Sequence, residues 1–88
     1  MIIPDVNLLL YSEIDAYPQH AAARIWWEDA LSGEMRVALP SIAIFGFLRI
    51  ATSRRIFEEP LSLPEALGRV ETWLARNNAA DFTSLADY

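Results

Sequence analysis

Short apolar runs alternate along this chain with segments whose apolar residues recur at three- and four-residue steps, and that alternation narrows the fold to a mixed α/β arrangement. Met1–Val6 reads as a short buried strand, with Pro4 tolerable near its end. Asn7 can cap a short helix over Leu8–Ser12 by accepting from a free backbone N–H. Glu13–Tyr17 is a polar connection. Pro18 suits a first helical turn. From His20 to Leu31 the residues Ala23, Trp26, Trp27, Ala30 and Leu31 keep helical spacing until Ser32-Gly33 ends it. Arg36–Leu39 is a second short strand.

Ser41 is a good N-cap for Ile42–Ser53. That segment is long for a strand, and Ile44, Phe47, Leu48 and Ala51 share a helical face, so it reads as helix. Arg54–Pro60 is a loop. Ser62-Leu63-Pro64-Glu65 is a capping box, in which hydroxyl and carboxylate satisfy each other's backbone donors. It opens a helix through Ala66, Leu67, Val70, Trp73 and Leu74, with Asn77-Asn78 as its stop. The expected order is β-α-α-β-α-α, a small parallel sheet flanked by helices. One unit covers 1–78, and 79–88 reads as an irregular tail.

With 88 residues, 53% of them hydrophobic, the chain allows one small domain with a marginal core. It has no cysteine, so neither disulfides nor thiolate metal sites are available. The opening Met1-Ile2-Ile3-Pro4-Asp5 lacks the basic start of a secretory signal, and the longest apolar stretch, Ile42 to Leu48, is too short to span a bilayer. The expectation is a soluble, cytoplasmic protein with no membrane partner. A net charge of −5 argues against a general nucleic-acid binder, whose affinity rests on many cation–phosphate contacts. It leaves room for a nuclease that meets RNA through a metal and a few arginines.

Asp5 is the sharpest candidate. It closes the first expected strand just before a helix, and open α/β sheets bind ligands outside such strand ends. A carboxylate there can hold a hard cation, with Asn7 steering it or a bound water. The competing reading is that Asp5 only caps the helix. Glu13 and Asp15 read as loop acids in solvent, and the lone His20 as structural. Trp26, Trp27 and Trp73 read as core or interface anchors ahead of base-stacking residues. Arg49, Arg54 and Arg55 form the one basic cluster. They either grip phosphate or answer the dipole of the helix they follow.

The run Ile2-Ile3-Pro4-Asp5-Val6-Asn7-Leu8-Leu9-Leu10-Tyr11 resembles the opening motif of VapC-like PIN-domain ribonucleases, the toxin half of bacterial toxin–antitoxin pairs. The resemblance continues through His20–Glu28, Leu39-Pro40-Ser41, Gly46–Phe57, Pro60-Leu61-Ser62 and Val70–Leu74. It implies a PIN-like α/β fold and a Mg²⁺- or Mn²⁺-dependent endoribonuclease, with Asp5 as the first metal-ligating, catalytic carboxylate. It further implies an RNA substrate, a cognate antitoxin and a homodimer.

Two departures qualify that expectation. Many relatives carry a glutamate just before Phe-Leu-Arg, where this sequence has Gly46. Relatives also continue into further strands that bring later aspartates, whereas here Asp81 and Asp87 are the only late acids and read as part of a solvated tail. The chain is therefore expected to be a truncated toxin, weakly active alone unless a second chain or copy completes the site. The alternative is an inactive remnant that serves as a dimerisation or antitoxin-binding module.

Overall fold

The computed structural model describes residues 1–76 and 79–81. Its elements are α1 (Val6–Glu13), α2 (His20–Ser32), β1 (Val37–Leu39), α3 (Ser41–Ala51), α4 (Leu63–Leu74) and β2 (Ala79–Asp81). The mixed α/β class expected from the sequence holds. None of the described helices is long and apolar enough to cross a membrane.

The opening strand is shorter than expected. Of Met1–Val6, only Ile2 pairs, as a single parallel bridge to Val37. Ile2 N–H donates to the Arg36 carbonyl at 2.8 Å, and Ala38 N–H donates to the Ile2 carbonyl at 2.7 Å. Pro4 has no N–H to extend that ladder, and α1 already starts at Val6, so pairing stops after one residue. On its other edge β1 pairs in parallel with β2, in the register Val37↔Ala79, Ala38↔Ala80 and Leu39↔Asp81. β1 is buried throughout, as suits a strand with neighbours on both edges. Ala79–Asp81 thus form a strand within the segment expected to be irregular. The expected helix stop Asn77-Asn78 and the remainder of that segment, 82–88, lie outside the described residues.

Three helices meet in an aromatic core. Trp27 of α2, Phe47 of α3 and Trp73 of α4 are fully buried. Trp73 packs edge-on against Trp27 at 5.8 Å and against Phe47 at 4.9 Å between ring centroids, the T-shaped geometry that aromatic quadrupoles favour. Trp26, one position earlier on α2, points elsewhere and stays 47% exposed. α3 buries Ala43, Phe47 and Ala51 at four-residue steps, while Ile42 and Phe45 face outward. It begins at Ser41, with Pro40 rather than Ser41 as its N-cap.

α4 keeps the capping box read from the sequence. Glu65 N–H donates to Ser62 Oγ at 3.2 Å, and Ser62 N–H donates to Glu65 Oε1 at 3.0 Å. Those bonds, with the Arg69 charge a smaller influence, hold the Glu65 carboxyl below its ordinary range. The connection before α2 is pinned by aromatic contacts: Tyr17 meets Tyr11 at 4.9 Å and Phe57 at 5.7 Å. Burial there, with Tyr11 a lesser cause, pushes the Tyr17 hydroxyl up.

Candidate functional site

Asp5 sits where the chain leaves its single bridge and turns into α1. Its backbone is extended, with φ −86° and ψ 171°, which is the conformation of a helix N-cap. Leu8 N–H donates to Asp5 Oδ1 at 2.9 Å. Of the two caps the sequence offers, Asp5 and Asn7, the structure uses Asp5. The helix consequently begins two residues sooner than expected, at Val6.

Capping uses only one of the two carboxylate oxygens. Asp5 is exposed, and its Oδ2 accepts no hydrogen bond among the described residues. The capping and ligand readings are therefore compatible. Asn7 lies exposed in the first turn of α1 and makes no side-chain hydrogen bond to Asp5 among the described residues.

Parallel pairing fixes which ends come together. Ile2, β1 and β2 all run the same way, so Asp5 and Asp81 stand at the same, carboxyl end of the sheet. They flank β1 on opposite edges, which separates their backbones by about two strand spacings, roughly 10 Å. Gly46 of α3 lies against the first turn of α1: a Cβ built there would be 3.1 Å from Val6 Cγ2. Position 46, where the family resemblance leads to the expectation of a glutamate, thus adjoins the residue next to Asp5.

No group of three or more His, Cys, Asp or Glu side chains able to hold a metal ion occurs among the described residues. Their donor set fits a first ligand, Asp5, and does not by itself complete a cation site.

The basic cluster is spread out. Arg49 lies exposed in the last turn of α3, and Arg54 and Arg55 lie exposed in the turn that follows. None of the three makes an ion pair among the described residues. The Arg54–Pro60 loop packs at the far end of α1, through Phe57 on Tyr17. That helix is about 12 Å long, so Arg54 and Arg55 stand away from Asp5.

The residue that the sequence reading missed is Glu13. It was expected in a solvated connection, yet it ends α1 with its side chain 4% exposed. Arg24 Nη1 and Arg69 Nη1 donate to its Oε1 at 2.9 and 2.7 Å, and Trp73 Nε1–H donates to its Oε2 at 3.1 Å. Glu28 extends the alternation, meeting Arg24 at 3.6 Å and Arg76 at 3.0 Å. The resulting chain of charges, Arg69–Glu13–Arg24–Glu28–Arg76, ties α4 to α1 and α2.

One signal for Glu13 was present in the sequence: it shares a helical face with Leu9 and Leu10, both buried, once α1 runs far enough to include it. Beside Glu13 lies a cleft of about 320 Å³ that also takes in Asp15, His20 and Glu59. His20 Nδ1–H donates to the Tyr11 carbonyl at 2.9 Å, in keeping with a structural role.

No family model matches the sequence. The chain is 50% identical over 78 residues to ribonuclease VapC33 of Mycobacterium tuberculosis, a match covering 89% of this chain and 54% of that protein. It is 36% identical over 76 residues to ribonuclease VapC31 of the same organism, covering 86% and 54% respectively. Against ribonuclease VapC37 it is 35% identical over 79 residues, covering 90% and 55%. The chain spans about half the length of the curated relatives it matches. The VapC-like resemblance first read from the Asp5 motif and the Trp-bearing helices is real over most of this sequence.

Proposed function

We propose that this sequence forms the N-terminal part of a PIN-like, metal-dependent endoribonuclease of a toxin–antitoxin pair, and that Asp5 is its first metal-ligating, catalytic carboxylate. The observation that carries this reading is the Asp5 side chain itself. It is exposed at the carboxyl end of a parallel ladder, with one oxygen fixed by Leu8 N–H and the other uncommitted. Similarity to proteins named as VapC ribonucleases supports the reaction class.

When bound, Mg²⁺ or Mn²⁺ would activate water and stabilise charge developing on the scissile phosphate. Asp5 would supply one oxygen ligand, pre-aimed by its cap. Asn7, exposed in the same turn, would orient a bound water. Arg49 would offer a cation for phosphate, and Arg54 and Arg55 would meet the RNA backbone further from the scissile bond. The other ligands would come from beyond the described residues, with Asp81 a candidate because its backbone lies at the same sheet end.

A cognate antitoxin, a homodimer and a cytoplasmic setting complete the reading. A second reading, a non-catalytic module that dimerises or binds the antitoxin, draws on one specific observation. Ile42 is 81% exposed and Phe45 66% exposed, side by side on α3, an apolar face suited to a protein partner.

The deciding experiment is RNA cleavage with and without Mg²⁺, comparing wild type with Asp5→Asn. Asparagine keeps the capping oxygen and removes the charge, so the fold is retained. The endoribonuclease reading expects metal-dependent cleavage that Asp5→Asn abolishes. Equal cleavage by both proteins removes Asp5 from the mechanism. Oligomers without any metal-dependent cleavage favour the second reading.

A further inference from the structure

We infer that the Arg54–Glu59 loop is a self-complementary contact through which two copies of this chain pair. The inference rests on the homodimer of the reading above and names the face that forms it. Arg54-Arg55-Ile56-Phe57-Glu58-Glu59 carries two cations, two apolar side chains and two carboxylates in that order. Arg54, Arg55, Glu58 and Glu59 are all exposed. The arginines stand only a few residues from the glutamates, yet none of the four makes an ion pair among the described residues. A single copy leaves both signs of charge unmatched.

The loop is held in shape before any partner arrives. Ile56 N–H and Phe57 N–H donate to the Ser53 carbonyl at 3.3 and 3.1 Å, which closes a tight turn. Phe57 turns inward onto Tyr17 at 5.7 Å, and Leu61 N–H donates to the Ala51 carbonyl at 2.9 Å. A segment already fixed loses little entropy on docking. Ile56, 56% exposed, is left facing outward between the two charged ends.

The order of the charges selects the symmetry. About a two-fold axis at Ile56, the second loop runs in the opposite direction. Arg54-Arg55 of each copy then face Glu58-Glu59 of the other, whereas a parallel alignment sets like charges together. Beside the loop lies an open cleft of about 490 Å³, floored by Ile14 and Phe57 and rimmed by Asp15, Glu58 and Glu59, with no cation in its lining. It suits an arginine of the second copy, with the stem on the apolar floor and the guanidinium at the carboxylates. Pairing with a carboxylate uses two of a guanidinium's five donors, so the same arginines can still reach an RNA phosphate. The loop packs at the far end of α1 from Asp5, so pairing leaves both copies of Asp5 open.

The test measures the mass of the full chain by sedimentation equilibrium at about 0.15 M salt. The wild type is expected to pair with a Kd of about 10–100 µM, as fits a contact built on one loop. Arg54→Glu with Arg55→Glu, and separately Glu58→Arg with Glu59→Arg, each set like charges across the axis and weaken pairing on the order of a hundredfold. An equimolar mixture of the two variants restores opposite charges on both sides and pairs within about fivefold of wild type. The chain has no cysteine, so Ile56→Cys supplies a second measurement that disturbs no charge. Beside the axis its thiol meets that of the other copy, and oxidation with copper–phenanthroline links the copies about tenfold faster than it links Ile42→Cys on α3.

A wild type that stays monomeric at about 1 mM overturns the inference. So does a pair that survives both reversals, a mixture of folded variants that fails to pair, or an Ile42→Cys link as fast as that of Ile56→Cys, which puts the contact on α3. Where a reversed variant does not fold, the two cysteine variants decide. None of these measurements involves Asp5, a metal or RNA, so the Asp5→Asn cleavage assay tests the proposed function separately.

Discussion

Glu13→Gln measures what the buried carboxylate contributes, and its size follows from the contacts. The Glu13 side chain is 4% exposed, whereas those of Arg24 and Arg69 are 43% and 39% exposed. Both guanidiniums keep much of their hydration, so each pair is worth about 0.5–1 kcal/mol, well under the ~3–5 kcal/mol lost on breaking a fully buried pair. The Trp73 Nε1–H bond adds about 1 kcal/mol. Glutamine preserves the shape, but one of its two ends becomes an NH₂ group that must face either a guanidinium or the indole N–H, donor against donor. The sum is about 2–3 kcal/mol, or a fall in Tm of about 10–20 °C for a domain this small. Urea unfolding followed by tryptophan fluorescence should show the midpoint fall with the slope unchanged. Raising the salt to about 1 M should narrow the gap, since the arginine pairs are screened while the indole bond is not. A Glu13→Gln protein within about 0.5 kcal/mol of wild type would refute the reasoning, because the three donors would then have no need of the charge.

Three further outcomes are expected. Gly68→Ala should stabilise the fold by about 0.5–1 kcal/mol in a thermal melt, since the added methyl meets nothing and the helix gains propensity. Ser62→Ala should destabilise it by about 1 kcal/mol through loss of the Glu65 N–H acceptor, read in the same melt. Glu65 has a lowered carboxyl pKa in the fold, so its contribution is present above the ordinary value of 4.5 and is lost as pH falls through the lowered one. Wild type should therefore exceed Glu65→Gln in stability at neutral pH, and the two curves should converge on acidification. A constant gap across the acid range would count against the charged capping box.

Local chemistry was legible where it was self-contained. The Ser62–Glu65 box, the helical period of α2, and the helical face of Phe47 and Ala51 all follow from spacing within one turn or two, whereas the choice of Trp27 over Trp26 as the inward ring does not. Errors arose where neighbouring signals competed. Asp5 and Asn7 are both good caps, and the extended backbone before Val6 chose Asp5. The Ile-Ile-Pro run looked like a strand until the missing proline donor and the early helix start limited it to one bridge. Ala79–Asp81 has little strand propensity, and it becomes a strand because β1 offers an edge to pair with. The Glu13 cluster draws its partners from other helices, which no local pattern announces. Asp5 was legible as a candidate from the motif, and its open oxygen only from the geometry.

The Glu13 clamp also bears on the order in which the chain can fold. Its contacts to Arg69 and Trp73 close loops of 56 and 60 residues. α1 and α2, by contrast, are near neighbours in sequence and can pair early. Until α4 docks, the carboxylate lacks its indole donor and one of its two cations, so it stays solvated and the first two helices cannot close fully over it. Arrival of α4 is therefore the step that makes a dry interior possible, and a nascent chain that has not yet released Trp73 has α1, α2 and α3 only loosely closed around the carboxylate.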